Sequence, residues 1–397
     1  MATEESVLDQ EFDYLIVGGG MAGSAAAVAL RQADADATIG MLSAEAHPPY
    51  DRPPLSKALW ADGKEDDIWR PLSQAAVTLQ LERRAVDLHR ATHVVTDSAG
   101  DRWKYRRKLL LATGGRPRTL PFGERFIYYR TLDDYRRLRA AATPGARVAV
   151  IGGGFIGSEI AAGLANAGCS VTMLFPEEGV CARAFPASLS AFVTDYYRDR
   201  GVDARPGVTV QDASGDNLLQ LSDGSSLQAD VVVAGLGIVP NTELARKAGL
   251  AVNNGIGVDD HLKTSDPDIY AAGDVAAFPS TVLGSHIRVE HEDAALSTGT
   301  HAGRCMAGED APYKQLPFFY SDLFDLGYEA VGVLDARLQT VPQWATPNEE
   351  GVIYYLEDNR VRGVLLWNTW DQIDAARALI AESGPFDADS VRGRLPA

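Results

Sequence analysis

The chain has 397 residues, 46% of them apolar and 23% charged, an ordinary globular composition that excludes a disordered chain or a fibre. At about 150 residues per average domain this length has room for two or three domains and a sizeable core. Lys and Arg number 37 against 54 Asp and Glu, and a net charge of −17 would repel a nucleic-acid backbone.

The charge is uneven. Residues 101–150 hold 13 Lys and Arg but only 4 Asp and Glu, a local surplus of 9 positive charges. Such a stretch is either a solvated face or a docking surface for an acidic partner or dinucleotide phosphates. Cys169, Cys181 and Cys305 are scattered and form no Cys-x-x-Cys pair, so neither a disulfide framework nor a metal site is expected. The opening residues are acidic and lack an apolar core, and no apolar run reaches the ~18 residues a membrane span needs. A cytoplasmic protein, monomeric or homodimeric, is the expectation.

In chain order, DYLIV at 13–17 reads as a fully buried parallel strand, followed by an Ala-rich helix from Met21 to Arg31. Between them lies Gly18-Gly19-Gly20-Met21-Ala22-Gly23, a G-x-G-x-x-G loop. In such a loop Gly18 permits the tight turn, Gly20 lets backbone approach a pyrophosphate, and Gly23 lets the helix pack on the sheet. Glu45, 22 residues after Gly23, is the candidate ribose-binding carboxylate. A strand is expected at 108–112, ending in the LATGG segment that would cross between domains.

The same grammar returns 134 residues after the first loop, with a strand at 147–151, Gly152-Gly153-Gly154-Phe155-Ile156-Gly157, and a helix to Ala167. Phe155 is an aromatic inside a glycine loop and reads as a gate or stacking partner for a nicotinamide. Glu177, after the next strand, is placed to accept from an adenosine ribose and to repel a 2′-phosphate, which favours NADH. Arg183 could contact the pyrophosphate. Two such units predict two dinucleotide-binding domains. Further strands are expected at 230–234 and 268–272, the latter leading into AAGDV, where Asp274 could bind a flavin ribityl hydroxyl. The last eighty or so residues are rich in β-formers, with a hairpin turn at Asp358-Asn359 and a closing helix from Trp370 to Ala381.

With these motifs the chain resembles the pyridine-nucleotide-disulfide oxidoreductase superfamily, in the branch of ferredoxin reductases and apoptosis-inducing factors. PYDRPPLSKALW, VEHEDAALSTGTHAG, SDLFDLGYEAVG, LFPEEG and GVIYYLEDNRVRGVLLWN carry the likeness, which runs from about Phe12 to about Ala381. The resemblance implies an α/β fold with FAD and NAD Rossmann-like domains plus a C-terminal α+β domain bearing an antiparallel sheet. Residues 1–126 and 252–312 would form the FAD-binding domain, 127–251 the NAD-binding domain and 313–397 the C-terminal domain. FAD would meet Arg52, Lys57, Ala85, Arg130 and Asp274, with Glu290 and His291 beside the isoalloxazine. NADH would meet Gly154, Phe155, Glu177, Arg183, Gly237, Glu329 and Asn368. Lys57 and Glu159 would form the ion pair at the flavin's reactive edge, and a desolvated lysine there needs such a partner.

Two positions depart from the family. Ala44 stands where an acid usually precedes Glu45, and Tyr320 stands where tryptophan usually precedes Ser-Asp; a tyrosine there can still pack on the flavin. The extra segments of the animal members are absent, so their partner functions do not carry over. HPPYDRPPLSK holds no thiol where disulfide reductases place theirs, so electrons would leave the flavin directly. The resulting expectation is an FAD-dependent NADH oxidoreductase whose acceptor is a ferredoxin or rubredoxin, a quinone or oxygen. The alternative is an NADH-responsive sensor that forms a long-lived flavin–NAD charge-transfer complex.

Overall fold

The computed structural model describes residues 9–215 and 217–397. By its internal contacts the chain forms two compact units: residues 1–51, 66–116 and 240–317, and residues 52–65, 117–239 and 318–397.

The first unit is built on β1 (Asp9–Val17), α1 (Met21–Ala33), β2 (Ile39–Leu42), β3 (Val77–Gln80), β4 (Ala85–His89), β5 (Val94–Asp97) and β6 (Arg102–Leu111). Its sheet runs β3-β2-β1-β6-β5-β4, with the strand Ile269–Ala271 also on β6. β1, β2, β3 and β6 are mutually parallel, and Leu15 sits between Gly40 and Leu109. Strands buried on both faces explain the near-continuous apolar run from Tyr14 to Val17. The α1 helix packs on the helix Glu292–Met306 at very short range: a Cβ on Gly299 would lie 2.3 Å from the Ala22 carbonyl oxygen. Alanines on one helix and glycines on the other make that approach possible.

The strand expected at 108–112 begins earlier, at Arg102. Trp103 and Tyr105 are buried while Arg102 and Lys104 are exposed, the alternation of a strand with one covered face. Opposite them in parallel register stand Asp9 and Glu11, and both facing pairs are ion pairs. Arg106 pairs with Asp13, Arg107 with Asp34, Lys108 with Asp268 and Arg116 with Glu243. In the second unit Arg136 pairs with Glu65 and Arg147 with Asp230. Most of the 101–150 surplus is therefore matched by acids from distant sequence, and that stretch is not one free basic patch.

The second unit carries α2 (Leu132–Ala141), β7 (Arg147–Ile151), α3 (Phe155–Asn166), β8 (Ser170–Phe175), α4 (Ala187–Asp199), β9 (Asp203–Pro206) and β10 (Val231–Ala234). Its parallel sheet runs β9-β8-β7-β10, with the short strand Ile127–Tyr128 on β10. The same unit holds an antiparallel sheet of β11 (Phe318–Leu323), β12 (Leu326–Gly332), β13 (Gln339–Thr346), β14 (Glu350–Glu357) and β15 (Arg360–Trp367), ordered β11-β12-β15-β14-β13. Asp358 and Asn359, at φ 50° and 56°, form the left-handed two-residue turn that joins β14 to β15. The helix expected from Trp370, α5 (Ile373–Ala381), starts three residues later. Asn368 and Asp371 take φ values of 47° and 62°, which a right-handed helix cannot include.

No helix among the described residues is long and apolar enough to cross a membrane.

Candidate functional site

In the first unit, α1 begins at Met21 with Gly20 as its N-cap and no side chain capping it. In the second, α3 begins at Phe155 with Gly154 in the same role, again uncapped. By contrast α2 is closed by a Thr131–Asp134 capping box. An uncapped N-terminus leaves backbone N–H donors and the positive end of the helix dipole for an anion.

The glycines of the two loops divide into two kinds. A Cβ on Gly18 would lie 2.1 Å from the Ala112 carbonyl oxygen, and one on Gly23 would lie 2.0 Å from that of Gly18. A Cβ on Gly152 would meet the Gly235 oxygen at 2.4 Å, and one on Gly157 that of Gly152 at 2.0 Å. These four are demanded by the protein's own packing. On Gly20 and Gly154 a Cβ would meet nothing within 4 Å. The middle glycine of each loop thus borders open space beside an uncapped helix, the cradle that a pyrophosphate fills.

The remaining candidates of the first unit lie near strand ends. Glu45 follows β2 by three residues, and its Oε2 accepts from the Tyr50 hydroxyl at 2.6 Å. Ala85 opens β4, opposite Asp97. Asp274 lies in the turn after the Ile269–Ala271 strand; Gly273, at φ 74°, makes that turn and donates its N–H to Thr298. Arg288 donates to the Asp274 carbonyl and pairs with Glu290 at 2.9 Å. Arg70 was not marked by any motif, yet it ties Ser24 of α1 to Asp51 through bonds of 2.7 and 2.6 Å.

His291 precedes the helix Glu292–Met306, and burial pushes its imidazole down from 6.5 to about 4 against the opposing pull of the Asp274 carboxylate. It is neutral at pH 7. Between about 6.5 and 4 the unfolded chain binds a proton that the folded His291 refuses. Stability is therefore lost as pH falls through that window, by at most about 1.4 kcal/mol per pH unit. Thermal melts of a His291→Gln protein should show a shallower acid limb. Identical limbs in both proteins would show that His291 protonates freely when folded.

In the second unit, the segment carrying Arg52 and Lys57 is held by aromatic anchors. Trp60 donates to the Leu55 carbonyl, Tyr129 donates to the same oxygen, and Tyr135 donates to the Leu59 carbonyl. A Cβ on Gly163 of α3 would lie 2.8 Å from the Trp60 ring, so the glycine makes room for the indole. Arg52 donates to the carbonyl of Arg130 at 2.9 Å. Lys57 Nζ lies 2.7 Å from Glu159 Oε1, with side chains only 13% and 3% exposed. Ser56 Oγ donates to Glu159 Oε2 and Ser321 Oγ to Oε1, each at 2.5 Å. Lys57 also lies 5.3 Å from the ring centre of Tyr320. The neighbouring Asp322 carboxyl is raised by burial, with Lys57 pulling it down and Glu159 pushing it up.

Phe155 is half-buried and leans on Phe319 and Tyr328, with ring centres 5.2 and 6.2 Å away. Glu177 follows β8 and pairs with Arg183 at 2.6 Å, so these two expected cofactor contacts hold each other. Gly237, at φ 77°, faces open space. Glu329 stands opposite Tyr320 in the β11–β12 ladder, so the two share a sheet face. Its Oε2 is buried with no hydrogen-bond partner, and burial and the Asp371 carboxylate raise its pKa. A buried acceptor left unmade costs about 1–3 kcal/mol, which a ligand N–H donor would relieve. The Asn368 side-chain amide accepts from Gly327 N–H at 2.7 Å and donates to the Glu349 carbonyl at 2.6 Å. Cys181 is fully buried and its thiol is pushed up to about 12, which makes it unreactive.

The pyridine nucleotide-disulphide oxidoreductase family matches residues 12–299, and the C-terminal domain of mitochondrion-associated apoptosis-inducing factor matches 302–350 and 346–382. The ferredoxin–NAD(+) reductase component of the Burkholderia cepacia anthranilate 1,2-dioxygenase system is 37% identical, over 93% of this chain and 94% of the relative. Mitochondrial apoptosis-inducing factor 1 of Dictyostelium discoideum is 35% identical, over 94% of this chain and 78% of the relative. Putidaredoxin reductase in its covalent complex with putidaredoxin superposes with a TM-score of 0.88 at 32% identity, covering 96% of this chain and 95% of that one. The paired glycine cradles and these matches together place the chain in the pyridine nucleotide-disulphide oxidoreductase family, in the branch of ferredoxin reductases and apoptosis-inducing factors, as a protein that binds FAD and NAD(H).

Proposed function

We propose that this NAD(P)H-dependent flavin oxidoreductase oxidises NADH and delivers the electrons to a small iron–sulfur protein. The observation that carries the reading is the repeated cradle: two uncapped helix starts, each with a middle glycine that, unlike the other glycines of its loop, faces open space. The likeness to a ferredoxin–NAD(+) reductase component and to putidaredoxin reductase supports the choice of acceptor. The lack of a thiol in residues 47–57 and the inert Cys181 support direct electron exit rather than disulfide chemistry.

Bound FAD supplies the hydride acceptor, and the chain's own residues supply binding, orientation and charge. The Gly154 loop and the start of α3 would hold the NADH pyrophosphate, and Phe155, which leans on Phe319 and Tyr328, would stack beside the nicotinamide. The unpartnered Glu329 oxygen accepts from the carboxamide N–H. Lys57, held by Glu159, would supply positive charge to the bound flavin. Asn368 is held by Gly327 and the Glu349 carbonyl and would lie beside the bound NADH.

The test is turnover with NADH and a panel of ferredoxins, rubredoxins, quinones and oxygen. A rate of about ten per second or faster with an iron–sulfur protein supports the reading. Slow rates with every acceptor, together with an NADH-dependent change in oligomeric state, would favour a sensor. For coenzyme choice, Glu177 should favour NADH about ten- to a hundredfold in kcat/KM, since each 1.4 kcal/mol is tenfold. The Arg183 ion pair softens that preference, so Arg183→Ala should sharpen it. Faster flavin reduction by NADPH in the wild type would assign the 2′ position to Arg183.

A further inference from the structure

We infer that Ser56 and Ser321 are positioning residues that set the Lys57–Glu159 pair for hydride transfer, an inference that rests on the proposed role of Lys57. Glu159 is 3% exposed and receives three donors, two from the Ser56-Lys57 segment and one from β11. Ser56 lies between the short helical turns Pro53–Leu55 and Ala58–Trp60, Glu159 on α3, and Ser321 on β11. Lys57 and Ser321 share Oε1 at 2.7 and 2.5 Å, and Ser56 takes Oε2 at 2.5 Å.

A buried carboxylate bonded only to a lysine could rotate about its last torsion and carry the ammonium with it. Here both oxygens are pinned, so the carboxylate plane and the position of Nζ are set together. The two hydroxyls also share the carboxylate's negative charge. That leaves more of the ammonium's positive field, and the N–H donors not bonded to Oε1, for a ligand. Ser321 is placed for this by register: it stands opposite the fully buried Tyr328, on the sheet face away from Tyr320 and Glu329.

The experiment compares Ser321→Ala, Ser56→Ala, Ser321→Thr and Lys57→Ala, singly and with each serine change added to Lys57→Ala. In stopped-flow reduction by saturating NADH, each serine-to-alanine change should slow the limiting rate about tenfold and leave the NADH Kd within about twofold. Ser321→Thr restores the hydroxyl and should recover most of the rate. On the Lys57→Ala background the serine changes should have no further effect. A second readout needs no cofactor. In the FAD-free protein, acylation of Lys57 followed by mass spectrometry should fall severalfold when either serine is removed, because the unshared carboxylate holds the ammonium more strongly, with exposed Lys64 and Lys247 as internal references. If Ser321→Ala fails to fold, Ser56→Ala carries the same comparison on the other oxygen. Unchanged rates and labelling in the serine variants beside a slow Lys57→Ala would overturn this inference alone. An unimpaired Lys57→Ala would overturn it together with the proposed role of the pair.

Discussion

Replacing Lys57 with alanine is expected to slow reduction of the bound flavin by NADH about a hundred- to a thousandfold while FAD stays bound. Losing one preorganised electrostatic contact at a reacting centre costs on the order of 2.7–4 kcal/mol in transition-state stabilisation. The lysine side chain is 13% exposed and its partner 3%, so water screens the pair little. Access for a nicotinamide requires some solvent entry, which favours the lower end of that range. The competing reading is a structural tie between the segment holding Lys57 and α3. That role would lower the melting temperature and leave the rate nearly intact, especially since Trp60, Tyr129 and Tyr135 already anchor the segment. A limiting rate within about threefold of wild type, with full FAD content, would make the pair structural.

Valine at Gly20 should yield a folded but colourless protein, whereas valine at Gly154 should yield a yellow one that no longer binds NADH measurably. Both glycines have extended backbone, with φ of −94° and −85°, and a Cβ at either meets only open space. The apoprotein therefore tolerates the side chain, and what the valine displaces is the pyrophosphate. Gly18→Val and Gly152→Val differ in kind, since their φ values of 125° and 118° and the close carbonyl oxygens make any Cβ a folding defect. Gel filtration with absorbance at the flavin band and circular dichroism separates the two outcomes. A Gly20→Val protein that retains one FAD per chain would remove that loop from the flavin site.

The positive surplus at 101–150 is largely matched by acids in the fold. The arginine-rich stretch at 101–150 read either as a solvated face or as a docking surface, because its acids are few. In the fold those cations meet Asp9, Glu11, Asp13 and Asp34 from the chain's start and Asp230, Glu243 and Asp268 from far beyond the stretch. A local charge count cannot see such pairing.

What could be read along the chain was whatever contiguous residues decide. Glycine spacing, buried strand runs and the Asp358-Asn359 turn were legible because each obeys a local steric rule. Boundaries failed where an unmarked feature intervened. The extension of β6 back to Arg102 depended on its pairing with β1, and the late start of α5 on left-handed backbone at Asn368 and Asp371. The meeting of Ser56, Glu159 and Ser321 was invisible, because the serines lie 103 and 162 residues from the glutamate. A lone serine in a strand or turn carries no mark of a distant carboxylate. Only packing decides such contacts, since a buried charge must find its donors wherever the fold brings them.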